Sequence, residues 1–108
     1  MPVVLLASFP NSRNKPRNPR TTGFTDQITI PSLATVSIAA ENQHRTDLNI
    51  RNLSTTSPIR FAYTAVAIAT EGFVLEPLET IYIDGPQEVF VYNPSGAPLD
   101  IVKDEGFG

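Results

Sequence analysis

The stretch "ETIYIDGPQEVFVYNPSGAPLDIVK", residues 79–103, decides the fold. It holds three short runs rich in Ile, Val and aromatic residues, "ETIYI" (79–83), "EVFVY" (88–92) and "LDIVK" (99–103), parted by two clusters of turn formers. β-Branched and aromatic side chains suit the pleated surface of a strand, whereas Gly, Pro, Asn and Asp interrupt it. Asp84-Gly85 tolerates a positive φ, and Asn93-Pro94-Ser95-Gly96 fits a type I turn in which Pro94 presets φ at the second position. The segment therefore reads as three strands joined by two turns.

The same punctuation continues towards the N-terminus. Further strands are expected at "DQITI" (26–30), "ATVSIAA" (34–40), "DLNIRNL" (47–53), "IRFAYTAVA" (59–67) and "FVLE" (73–76). Pro31 cannot donate a ladder hydrogen bond and should end the first of these or hold it at an edge. The Ala-rich "FAYTAVAIATE" is the one serious helical rival, but its β-branched residues and the bounding Pro58 and Gly72 favour a strand. Short strands at this spacing predict an all-β fold, a single small β-sandwich or barrel of about seven to eight antiparallel strands.

Side-chain alternation assigns the faces. In "DLNIRNL", Leu48 and Ile50 alternate with Asn49 and Arg51, giving one core face and one wet face. In "EVFVY", Val89 and Val91 oppose Phe90 and Tyr92, and in "ETIYI", Ile81 and Ile83 oppose Tyr82, so both faces are apolar. A domain of this size has one core, so the second-face aromatics Tyr82, Phe90 and Tyr92 are expected at an oligomer or partner interface. The competing expectation is that a loop, or the N-terminal "VVLLASF", covers them within one chain.

Charge divides the chain unevenly. Arg13, Lys15, Arg17 and Arg20 give residues 1–25 a charge of +4, while residues 26–108 carry four cations and eleven acids, −7, which together make the net −3. The segment "NSRNKPRNPRTTGF" (11–24) has almost nothing apolar to bury and cannot offset its ordering entropy alone. Residues 1–25 are thus expected to form an extended basic N-terminal arm and residues 26–108 the β-sandwich, with the four arm cations contacting an acidic partner surface. The short apolar start lacks the flanks of a signal peptide, and no apolar run approaches the ~20 residues of a membrane span, so a soluble protein without membrane contact is expected.

Chemistry is sparse. There is no cysteine and one histidine, His44, within the polar "AENQHRTD", so a transition-metal cluster would need mainly carboxylates and a nucleophile triad would have one available base without an elbow motif. Glu76 and Glu79 flank Pro77, and Asp104 and Glu105 lie near the C-terminal glycines, neither pair in a recognisable catalytic setting. No catalytic, metal or cofactor-binding residues are expected, and the chain reads as no enzyme. Direct nucleic-acid binding is disfavoured because the body is acidic and no aromatic residue interleaves the arm's charges.

The segment "AENQHRTDLNIRNLS" (40–54), through Asn42, Arg45, Leu48, Ile50, Asn52 and Ser54, resembles small β-sandwich structural proteins of tailed bacteriophages, of the head decoration or cement type. "GFVLEPLETIYIDG", through Gly72, Leu75, Pro77 and Glu79, and "VFVYNPSGAPLDIVKDEG" are similar to further parts of such proteins, so the resemblance spans about residues 40–106. It implies a homo-oligomeric virion component made in the host cytoplasm, residing on the capsid surface and binding the major capsid protein or other virion proteins. A head-to-tail joining protein or head-fibre base is the nearest alternative. In the same segment Arg45 suits tying the loop to backbone carbonyls, and Asn52 suits local bonding at the strand end. A carbohydrate- or receptor-binding sandwich is the competing class, with Tyr82, Phe90 and Tyr92 as a stacking platform.

Overall fold

The computed structural model describes residues 22–108. Its elements in chain order are β1 (Thr22–Ile30), β2 (Thr35–Ala39), β3 (Arg45–Asn52), β4 (Ile59–Ala62), α1 (Ile68–Glu71), β5 (Phe73–Leu75), β6 (Thr80–Ile83), β7 (Val89–Tyr92) and β8 (Leu99–Phe107). The strands form two antiparallel four-stranded sheets, one in the order β1-β8-β3-β6 and the other β2-β7-β4-β5. Among the described connections only β4 to β5 stays within a sheet, and every other link crosses to the opposite one. This is the double-sheet, jelly-roll way of arranging an eight-stranded β-sandwich.

Alternation explains why the sheets close on each other. Ile28, Ile30, Leu48, Ile50, Ile81, Ile83, Leu99 and Ile101 face inward from the first sheet, and Val36, Ile38, Ile59, Phe61, Leu75, Val89 and Val91 from the second. Register carries this pattern across strands: Ile28 pairs with Ile101, Leu48 with Ile83 and Phe61 with Val91. Fully burying one such side chain contributes about 1.5–3 kcal/mol, so sliding any strand by one residue would turn its apolar set to solvent.

Three expectations are revised. β1 begins at Thr22 rather than Asp26, so residues 22–25, read with the arm, belong to the sheet and pair with 104–107 of β8. The strand expected over 59–67 ends at Ala62, followed by a turn and the helical turn α1. The antiparallel pairing of Phe61 with Phe73 demands a chain reversal between them, and residues 63–72 supply it. Finally, the Asp84-Gly85 and Asn93–Gly96 turns are not hairpins within a sheet: each carries the chain from one sheet to the other. Gly85 takes the positive φ its position needs, 113°, and Pro31 follows directly on the end of the edge strand β1.

α1 lies against β4 and β7. Its Ile68 is buried, and a Cβ on Gly72 would stand 3.0 Å from Ile68 Cγ1 and 3.1 Å from Arg60 Cβ. Arg60 sits between the inward-facing Ile59 and Phe61, so this turn covers part of the outer face of the second sheet. The Arg60 guanidinium donates to the Gly72 carbonyl at 2.7 Å, fastening the turn to the strand beneath it.

Candidate functional site

The two open ends of the sandwich hold its buried polar side chains. At one end Arg45, Lys103 and Glu105, all on the inner side of the first sheet, form an ionic clamp: Arg45 Nη1 stands 3.3 Å from Glu105 Oε2, and Lys103 Nζ 3.0 Å from Glu105 Oε1. Both cations also donate across the gap to carbonyls of the other layer, Arg45 to Ala40 at 2.9 Å and to Gln87, and Lys103 to Ile38 at 2.6 Å. A buried charge is tolerated only when paired and hydrogen-bonded, and this carboxylate holds both cations. Arg45 Nε is buried and lacks a hydrogen-bond partner among the described residues.

The opposite end is closed by two fully buried asparagines. Asn52 Nδ2 donates to the carbonyls of Ser57, Leu75 and Glu76, while its Oδ1 accepts from the Ser54 amide at 2.9 Å. Asn93 Nδ2 donates to the Ile30 and Ala97 carbonyls, and its Oδ1 accepts from the Ser95 amide at 2.8 Å. The reading of Arg45 as a loop tie and Asn52 as a local strand-end bond matches these contacts. Asn93 was legible only as a turn former, and the same short Asn-to-backbone geometry that favours turns also lets it fill a buried corner.

The expected carboxylate pairs serve the scaffold. Glu79 Oε1 accepts from the Glu76 amide at 2.8 Å, closing the β5–β6 turn. Asp104 and Glu105, adjacent in a strand, face opposite sides: Glu105 enters the clamp, and Asp104 accepts from Thr25 Oγ1 on the outer face at 2.8 Å. His44 is exposed, its amide bonded to Asn42 Oδ1. No three His, Cys, Asp or Glu residues among those described are grouped to hold a metal ion.

Tyr82, Phe90 and Tyr92 point away from the core, as alternation predicts, but onto different surfaces. Tyr82, 45% exposed, lies on the outer face of the first sheet, opposite Asn49. Phe90 and Tyr92 are half-buried on the outer face of the second, where Tyr92 pairs with Thr35 and Arg60, and Phe90 with Ser37 and Ala62. β6 and β7 belong to different sheets, so these aromatics cannot share a single platform. The arm cations Arg13, Lys15, Arg17 and Arg20 lie outside the described residues.

The outer face of the first sheet also gathers carboxylates that sequence spacing does not bring together. Asp47 pairs with Gly106, Asp104 with Asn49 and Thr25, and Asp84 follows Ile83, the partner of Leu48, which sets it beside Asp47. Asp100 is further along the same face, accepting from Gln27 and Thr29. The excess of acids in the body was visible in composition, but its concentration on one face needs the strand order.

No protein family matches the chain, and no curated protein matches it in sequence. Among solved structures, the Cupin_2 domain of an XRE-family transcriptional regulator from Enterobacter cloacae is similar over 80% of this chain and 82% of its own, with 13% identity and a TM-score of 0.61. That likeness shows the fold. Bacillus endospore appendages, described as disulfide-linked pili, align over 87% of this chain and 95% of theirs, at 13% identity and a TM-score of 0.45, which is too low to carry an argument.

Proposed function

We propose that the chain is a structural virion protein of a tailed bacteriophage, a capsid decoration or cement protein that attaches to the head lattice through its basic N-terminal segment and the apolar outer face of the second sheet. The observation that carries this reading is the division of labour among its polar groups. The buried polar side chains Arg45, Glu105, Asn52 and Asn93, with the partly buried Lys103, are engaged in closing the sandwich on itself. What faces outward among the described residues is an acid-bearing face on the first sheet and a sheet face bearing Phe90 and Tyr92 on the second. Jelly rolls serve in viral capsids, lectins and cupins alike, so the fold admits this role without selecting it. The resemblance over residues 40–106 favours it.

A sugar-binding module is the weaker reading, because stacking Tyr82, Phe90 and Tyr92 against one ligand would need them on one surface. The test is a particle map after adding the purified chain to phage heads that lack it. Density repeating over the whole shell is the expected result. Density at one vertex would instead indicate a joining protein or fibre base, and no attachment would defeat the virion role. Changing Phe90 to Ser should weaken attachment more than folding, since losing an interface anchor costs about 2 kcal/mol or more.

A further inference from the structure

We propose that the outer edge of β1 is a dimerisation seam: a second copy of this chain adds its own β1 there, antiparallel, over residues 24–30 about a two-fold axis at Gln27. The inference is independent of the virion reading, because it concerns a contact the chain makes with itself.

Comparison of the edges selects the strand. The two sheets end in β1 and β6, and in β2 and β5. An edge strand presents a row of backbone amides and carbonyls on which another strand can pair, and folded proteins blunt it by shortness, bulges, proline or lysine. β5 and β6 have three and four residues, and β2 has five with a register shift between Ser37 and Ala39. β1 has none of these defences: its nine residues run in unbroken register with β8 and include no proline, lysine or arginine. Every residue from Thr22 to Gln27 is exposed, and among the described residues β8 is the only strand paired with β1.

Side chains select a second copy as the strand that fills this edge. Alternation turns Phe24, Asp26, Ile28 and Ile30 to the inner side of the sheet and Thr25, Gln27 and Thr29 outward. Phe24 is nonetheless 60% exposed, because β2, which returns along β1 in the other sheet, has five residues against nine and stops short of it. A two-fold axis at Asp26 would set two carboxylates directly opposite each other, which is unfavourable. Moving the axis one residue, to Gln27, removes that conflict. Thr25 then meets Thr29, Asp26 meets Ile28, the neutral Gln27 meets itself, and Phe24 comes to lie beside Ile30 of the second copy. Thr–Thr and aromatic–β-branched pairs of this kind stabilise antiparallel neighbours.

Area sets the strength. At about 3.4 Å per residue and with sheets about 10 Å apart, the joined flank, side chains included, covers about 500 Å² on each copy. That is the low end of specific interfaces, so the dimer is reversible rather than obligate.

The absence of cysteine allows a direct probe. Gln27→Cys in the full chain places a single thiol at the axis, opposite its own copy, so mild oxidation should link most of the protein into a disulfide dimer. Thr80→Cys, on the opposite edge strand β6, should stay largely unlinked. In sedimentation velocity the apparent mass of the unmodified chain should rise towards double with concentration. Gln27→Lys sets two ammonium groups against each other and should weaken association about fivefold, and mixing it with an equal amount of Gln27→Glu should restore the dimer. Gln27 is exposed and its Nε2 donates to Asp100 at 3.3 Å, so a lysine there keeps an acceptor and Tm should hold. An unmodified chain that stays monomeric at about 1 mM, a Gln27→Lys variant that associates as tightly as its parent, or linking as efficient at position 80 as at position 27 would overturn the proposal. If Gln27→Lys failed to fold, the comparison of the two cysteine variants would decide by itself.

Discussion

The two ends of the sandwich solve one problem by different chemistry. Where β3 begins, Arg45, Glu105 and Lys103 join the sheets by charge, and where it ends, Asn52 does so with a neutral amide, seconded by Asn93. An amide carries both donor and acceptor, so each asparagine satisfies backbone groups by itself and tolerates full burial. Ions require partners of opposite sign, and each loses hydration on burial, so the clamp is only as good as its completeness. The ionic end is consequently the one where a single substitution does most harm.

Arg45→Met should destabilise the fold most, by about 3–5 kcal/mol, because it strips Glu105 of one cation and leaves the Ala40 and Gln87 carbonyls without their donor. The denaturant midpoint reads this directly, and a loss under 1 kcal/mol, well below the range expected for a broken buried pair, would erase the contrast between the ends. Asn52→Ala and Asn93→Ala should each cost about 1–3 kcal/mol through orphaned backbone groups. If either matched Arg45→Met, the amide end would be the keystone instead.

Smaller effects sharpen the comparison. Leu78 lies in the β5–β6 turn gathered by Asn52, is exposed, and has φ 63°. Left-handed backbone penalises a side chain by about 1–2 kcal/mol, so Leu78→Gly should stabilise the chain by up to about 1 kcal/mol after the unfolded state's gain in freedom. Thermal unfolding would register the rise in Tm. The smallest net change is expected from Arg45→Met, Lys103→Met and Glu105→Leu together: apolar replacement of a complete buried ion group is often neutral or stabilising. A triple variant as unstable as Arg45→Met alone would show that the clamp acts by geometry rather than charge.

Much of this was legible in residues 79–103. Alternation placed Val89, Val91, Ile81 and Ile83 in the core and turned Tyr82, Phe90 and Tyr92 outward, because strand periodicity depends on nothing beyond the neighbouring residues. The aromatics' division between two surfaces was not legible, since it follows from β6 and β7 joining different sheets. Nor was the clamp: Arg45 and Glu105 are 60 positions apart, and only the pairing of β3 with β8 brings them together. The helical turn α1 was misread because "TAVAIAT" alternates small and branched residues in a way that satisfies either period. What settled it was Ile68, which packs over Arg60 and Gly72 on the outer face of a strand already paired on both edges.

The position of β8 carries a consequence for how the molecule is made. The strand latest in the chain is hydrogen-bonded between β1 and β3, so the first sheet cannot assemble from the strands that precede it. Among the described residues β1 pairs only with β8, so it must wait for partners such as Asp104, 79 positions downstream of Thr25. A chain emerging from the ribosome can therefore pair β2, β4, β5 and β7 in one sheet and β3 with β6 in the other, but the apolar side between them stays incompletely covered until residues 99–107 arrive. Folding with such distant contacts is slow, and it exposes sticky surface in the interval, making the yield of native protein in cells sensitive to temperature and to chaperone supply.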